Sequence, residues 1–223
     1  MLDPARRIAE SAARLLLSLD DALFDSRYGV ETGRYTGRSE LDTPYTAALA
    51  HSEPYQSTRL WTLRTAFRAL GSLDRALPEV FVDLGCGTGR ACFYAASRKM
   101  FRQVVGVDFS GSLIERAQQN ARTFRGPSVE FSCYDAGSFL LPDASCLVFM
   151  FNPFDEIIMH RFVRLNALTL SQQKCLVVYA NDRHSSVLKS AGFRMLRRND
   201  LRRTSIWEAP SALRVESTPH DVD

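Results

Sequence analysis

Lysine is almost missing from this 223-residue chain: it occurs only at positions 99, 174 and 189, so nearly all the positive charge is arginine. The 28 basic residues stand against 25 acidic ones, and a net charge of +3 is too mild to mark a nucleic-acid binder by itself. No apolar run approaches the length of about 18 residues that a membrane span needs, so no membrane partner is expected. The opening residues MLDPARRIAE carry no apolar signal core, and a cytoplasmic protein is expected. The cysteines (Cys86, Cys92, Cys133, Cys146, Cys175) include no CxxC pair and no nearby histidine pattern. Their odd count and apolar surroundings argue for reduced, buried thiols, not for a disulfide set or a metal site. A hydrophobic fraction of 45% and a charged fraction of 24% exclude a wholly disordered chain. The length allows one domain with an appendage, or two small ones.

What is present begins with a helix signal. Asp3 can cap and Pro4 suits the first helical position. Ile8, Ala12, Leu15, Leu16, Leu19 and Leu23 then recur at helical spacing and predict a helix over 4–23. Its polar face (Arg6, Arg7, Glu10, Arg14, Asp20, Asp21) mixes both signs. The apolar stripe is therefore expected to pack on the main domain and not on a membrane surface. Residues 24–56 show no sustained period and read as a long irregular segment, a candidate lid. A second amphipathic helix is expected over 57–70, with Leu60, Leu63, Phe67 and Leu70 on one side and Gly71 ending it.

From Val80 onward strands and helices alternate. Strands are expected over 79–85, 103–109, 128–135, 145–152 and 174–181, with helices over 88–99, 112–124, 155–170 and 184–192 between them. A final antiparallel pair is expected around Asn199-Asp200. The resulting division is an arm and candidate lid over 1–75, a core over 76–210 and a tail over 211–223. Alternating units of this kind build a parallel α/β sheet that binds ligands outside the carboxyl ends of its strands. Those ends carry the chemistry. The first leads into Asp83-Leu84-Gly85-Cys86-Gly87-Thr88-Gly89, where glycines let a ligand approach the backbone and the next helix offers its amides. A dinucleotide fingerprint would need a third glycine where Arg90 stands.

VFVDLGCGTGR closely resembles the first motif of class I S-adenosylmethionine (SAM)-dependent methyltransferases. The series continues with GVDFS after the second strand, Tyr134-Asp135-Ala136 after the third and Asn152-Pro153-Phe154 after the fourth. The resemblance implies a Rossmann-like, doubly wound, mostly parallel seven-stranded sheet of order 3-2-1-4-5-7-6, with the last strand antiparallel. It implies a cofactor, SAM, with S-adenosylhomocysteine (SAH) as product. Asp108 would accept from the ribose hydroxyls, Phe109 would lie beside the adenine, and Asp135 with Ala136 would meet the adenine edge. Asp83, Gly85, Cys86, Gly87, Thr88 and Gly89 would form the methionine end, with Tyr134 and Asn152 completing the cofactor contacts.

The acceptor end is less clearly written. Asn152-Pro153-Phe154 is similar to the motif by which methylases of planar amines hold an amino group, but it has one proline where that motif has two. Asn152 and Phe154 are the candidates to meet the acceptor, the alternative being a turn in which Asn152 caps the next helix and Phe154 packs. Tyr28, Tyr35, Tyr45 and Tyr55 of the irregular segment could contact a sulfonium or a flat acceptor, and Tyr55 is the foremost of them. A small molecule or protein acceptor is expected ahead of a nucleic acid. Three alternatives stay open: a non-catalytic SAM/SAH-binding module, an NAD-dependent oxidoreductase, which needs the glycine that Arg90 replaces, and a nucleic-acid methyltransferase using Arg194, Arg197, Arg198, Arg202 and Arg203.

Overall fold

The computed structural model describes residues 4–33, 35–37, 41–45, 49–53 and 55–211. The expected tail, apart from Ser211, lies outside the described residues. The central sheet is built from β1 (Val80–Leu84), β2 (Gln103–Asp108), β3 (Glu130–Cys133), β4 (Cys146–Phe151), β5 (Leu176–Ala180), β6 (Arg194–Asn199) and β7 (Thr204–Glu208). They lie in the order β3-β2-β1-β4-β5-β7-β6. The first five are parallel, and β7 runs antiparallel to both neighbours, as expected. Position in the sheet explains composition. β1 and β5 are covered on both faces and buried at every residue, hence VFVDL and LVVYA. β6 closes an edge and is the arginine-rich RMLRRN, charge that discourages edge-to-edge pairing.

The helices are α1 (Pro4–Tyr28), α2 (Leu60–Gly71), α3 (Arg90–Ser97), α4 (Gly111–Thr123), α5 (Glu156–Leu165), α6 (Ala167–Gln172) and α7 (Ser185–Ser190). One apolar cluster joins Phe81, Leu147, Phe149 and Val178 of the sheet to Leu60, Leu63 and Phe67 of α2 and to Phe93 of α3. The other joins Val82, Val148 and Val177 to Ile158, Met159 and Phe162 of α5 and to Leu188 of α7. Among the described residues no helix is long and apolar enough to cross a membrane.

Three expectations need correction. The helix expected over 155–170 is two, because Asn166 turns its side chain onto Leu141 N–H, Phe139 O and Phe162 O and interrupts the run. α1 continues to Tyr28 and stops at Gly29, whose φ is +70°. Its leucine stripe does not pack on the core: Leu15, Leu16, Leu19 and Leu23 are all exposed, while Asp21 and Phe24 are buried. Asp21 decides the facing. It accepts the Leu60 N–H at 2.9 Å and pairs with Arg59 at 3.0 Å and Arg90 at 3.1 Å. At 3.6 residues per turn, Leu19 and Leu23, two positions either side of Asp21, point the opposite way.

Candidate functional site

β1 ends in a turn that bends through Gly85, Gly87 and Gly89, with φ of +78°, +54° and +94°. Gly85 and Cys86 N–H both donate to Val107 O of β2, which ties the turn to the neighbouring strand end. Gly87 N–H donates to Asp108 Oδ2 at 2.8 Å, and Ser110 N–H donates to Asp108 Oδ1 at 3.0 Å. Asp108 is thus clamped between the glycine turn and the start of α4. Ser110 caps that helix. Burial pushes the Asp108 carboxyl up to about 6, against the opposing pull of its backbone donors. Each oxygen keeps a second lone pair.

Asp83 has a poorer environment. It is 3% exposed, and the side-chain donor in reach is the Cys92 thiol at 3.6 Å. Desolvation pushes its carboxyl up to about 8. Asp135 caps the short turn Ala136–Ser138, accepting from Gly137 N–H at 3.1 Å and the Ser138 hydroxyl at 3.2 Å.

These groups converge on one cavity of about 250 Å³ at the carboxyl ends of the strands. Asp83, Gly85, Cys86, Asp108, Phe109, Tyr134, Asp135, Ala136, Asn152 and Phe154 all line it, and so does Tyr55 from the arm. Gly87, Thr88 and Gly89 do not: the arm covers the first two, and Gly89 is turned into the core. A Cβ on Gly87 would collide with the Tyr55 ring. The Tyr55 hydroxyl lies 2.8 Å from Thr88 Oγ1 and accepts the Thr88 N–H at 3.2 Å. The polar tip of this ring therefore takes an amide at the head of α3 that sequence reasoning assigned to a ligand. Gly89 sits against Phe131 and Phe93.

The Asn152-Pro153-Phe154 turn is also engaged. Asn152, with φ of +43°, accepts the Tyr179 hydroxyl on Oδ1 at 3.0 Å. Pro153 O accepts Glu53 N–H of the arm at 3.1 Å. Ser52 bridges to Phe154, and His51 Nδ1 lies 2.6 Å from Asp155 Oδ2. Asp155, not Asn152, caps α5, accepting from Ile157 and Ile158 N–H. Phe154 is buried and belongs to the core while still touching the cavity. Of the other arm tyrosines, Tyr28 packs on Phe24 and Phe124, and Tyr45 on Tyr134. The Tyr35 side chain lies outside the described residues.

Sequence reasoning missed Arg90. It is 4% exposed, pairs with Asp21 and Asp25 of α1 and donates from Nε to Thr32 Oγ1 at 2.6 Å. It pins the arm to the glycine turn. The signal was its position in place of a third glycine, but its partners lie far away in sequence. The arm residues Ser52, Glu53, Ser57 and Thr58 also line the cavity, where sequence reasoning names Tyr55 as the foremost residue of this stretch.

One wall of the cavity sets the carboxyl groups of Asp83, Asp108 and Asp135 beside apolar Val107, Leu113 and Ala136, while Glu53, Arg90 and Arg183 line it elsewhere. That wall fits a ligand carrying a positive charge, hydroxyls and a flat apolar body, the chemistry of SAM. The volume lies just below the usual range for ligand pockets, about 300–1,000 Å³, with the Tyr55 ring filling the end nearest the glycines.

A family profile described as "Methyltransferase domain" matches residues 78–210. No curated protein matches the chain. Among solved structures it is similar to the ribosomal protein L11 methylase of Lactobacillus delbrueckii subsp. bulgaricus, with 14% identity and a TM-score of 0.50 over 68% of this chain and 79% of that one. It is also similar to the magnesium protoporphyrin IX methyltransferase of Synechocystis PCC 6803 with bound SAM, with 17% identity and a TM-score of 0.48 over 69% of this chain and 78% of that one. The N-methyltransferase NodS of Bradyrhizobium japonicum WM9 aligns with 14% identity and a TM-score of 0.46 over 68% of this chain and 96% of that one.

Proposed function

This chain belongs to the methyltransferase-domain family, and from that premise we propose that it binds SAM at the strand ends and methylates an acceptor held between the core and the arm. When bound, SAM supplies a methyl group already activated by its sulfonium. The observation that carries the reading is the convergence of Asp83, Asp108 and Asp135 on one cavity beside the glycine turn. Asp108 offers its two free lone pairs to vicinal hydroxyls, and Asp135 accepts from an amino group. Asp83 places a negative charge beside a cationic one. Phe109 and Ala136 pack against a flat ring, while Gly85 and Cys86 form the backbone wall. Residues 76–210 form the transfer domain and 1–75 the arm, with the Tyr55 ring giving way so that Gly87 and Thr88 meet the ligand.

Asn152, Phe154 and Tyr55 stand nearest the acceptor side. Much of the work left to these residues is alignment of nucleophile and methyl group. A small molecule or protein is favoured over nucleic acid as acceptor. Arg194 is paired with Glu208, Arg198 with Asp182 and Asp200, and Arg202 stacks on Trp61 at 3.8 Å. A second reading, a SAM/SAH-binding module without transfer, is favoured by the prior engagement of Asn152 Oδ1 and Pro153 O.

Isothermal titration with SAH tests the cofactor. Wild type is expected to bind and Asp108→Ala to bind far more weakly, since each lost hydrogen bond to the carboxylate is worth about 1.5–3 kcal/mol. No binding by wild type, or unchanged binding by the variant, defeats the assignment. A radiolabelled-methyl screen over small-molecule, protein and nucleic-acid fractions separates transferase from binding module and identifies the acceptor class.

A further inference from the structure

The leucines of α1 that face away from the core form an apolar strip. Leu15, Leu16, Leu19 and Leu23 are 62%, 67%, 51% and 69% exposed, and their spacing puts them on one side of the helix. Among the described residues nothing covers them. Large exposed apolar patches rimmed by polar groups mark interaction sites.

What borders the strip identifies its partner. A groove of about 840 Å³ runs between α1, α2 and the end of α3, and Leu23 belongs to its wall. Phe24, Tyr28, Phe67 and Tyr94 supply its apolar surface. Arg27 of α1, Arg64 and Arg68 of α2, and Arg98 just past α3 line it against a single carboxylate, Asp20. Asp20 is spent on Arg64 at 2.7 Å. Arg27, Arg68 and Arg98 are exposed, and Met100 beside them is 39% exposed.

The helix alone, with charges of both signs, does not read as a membrane-surface helix. The tertiary structure supplies the missing cations: α2 and α3 bring their arginines alongside the leucine strip. An apolar strip continuous with an arginine-lined groove is complementary to an anionic amphiphile, whose phosphates meet guanidinium groups while its chains meet leucine. A second copy docked by the same face would bring its own arginines toward this groove, like charge against like.

We propose that the α1 leucine strip and the Arg27-Arg64-Arg68-Arg98 groove form a peripheral docking surface for a membrane leaflet rich in anionic phospholipid. The test is co-sedimentation of the full chain with phosphatidylcholine vesicles and with vesicles that also contain phosphatidylglycerol. Binding is expected to the anionic vesicles only, and to weaken as salt is raised. Arg68→Glu with Arg98→Glu is expected to lower the partition by at least fivefold for each arginine removed. Leu19→Ser with Leu23→Ser leaves the charge unchanged and is expected to lower it by about tenfold or more. All four positions are exposed, and thermal unfolding checks that the variants fold. No binding to anionic vesicles at low salt overturns the proposal. Undiminished binding by the leucine variant overturns it too, because charge alone would then explain the effect. So would a dimer in vesicle-free sedimentation velocity that Leu19→Ser with Leu23→Ser disperses, because the strip would then belong to a second copy.

Discussion

A Cβ on Gly87 would lie 1.8 Å from Cε2 of Tyr55. This ring is one of the contacts by which the arm closes on the glycine turn, at a backbone φ that residues other than glycine rarely adopt. Gly87→Ala is expected to push the ring away and destabilise the fold by about 1–3 kcal/mol. Hydrogen exchange should show faster exchange confined to 49–56 and the start of α3. A variant with unchanged exchange there would show that the ring does not hold the arm.

Arg90 carries a heavier share. Its guanidinium is buried against Asp21, Asp25 and Thr32, so truncation takes a cation from Asp25 and leaves Asp21 with Arg59. Removing one partner of a buried ion pair costs about 3–5 kcal/mol. Arg90→Ala is therefore expected to shift chemical denaturation by that amount, and a loss below about 1 kcal/mol would contradict the role given to it.

Asp83 makes stability and ligand binding depend on pH. Its folded-state carboxyl is raised from 3.8 to about 8 by burial. The folded protein then holds a proton that the unfolded chain releases. This contribution is fully present below pH 3.8 and is lost as pH rises through about 8. The thermal midpoint of the ligand-free protein is expected to fall across that window, and Asp83→Asn to flatten the fall. Asp108, raised to about 6, acts with the same sign over a lower range. A cationic ligand beside Asp83 favours its charged form and expels the proton. Titration with SAM at pH 7 should therefore give heats that differ between buffers of different ionisation enthalpy.

Asn152 adopts a positive φ that asparagine tolerates better than most residues. Asn152→Gly keeps that backbone and removes the side chain. If Asn152 meets the acceptor, labelled-methyl transfer should fall by about 10–100-fold while SAH affinity stays within a few fold. Parallel loss of both would make Asn152 a support for Tyr179 and not an acceptor contact.

The placing of Asp83, Asp108 and Asp135 at strand ends could be read from residues alone, because it follows from local patterns: apolar runs that become buried parallel strands, and polar or glycine residues that interrupt them at their ends. The order of the sheet came instead from the resemblance of the motif series to the methyltransferase family. The break at Asn166 could not be read from residues, because its reason is a hydrogen bond to Leu141, 25 residues away.

The same limit governs the functional surfaces. Sequence alone determined the parallel core and the acidic strand ends, since hydrophobic period and turn chemistry act over a few residues. Only the tertiary structure decided that Tyr55 takes the amide of Thr88 and that the leucines of α1 face outward. Asp21 must meet Arg59, Arg90 and the Leu60 amide, and that buried ion pair outweighs the pull of an apolar stripe on the orientation of its own helix.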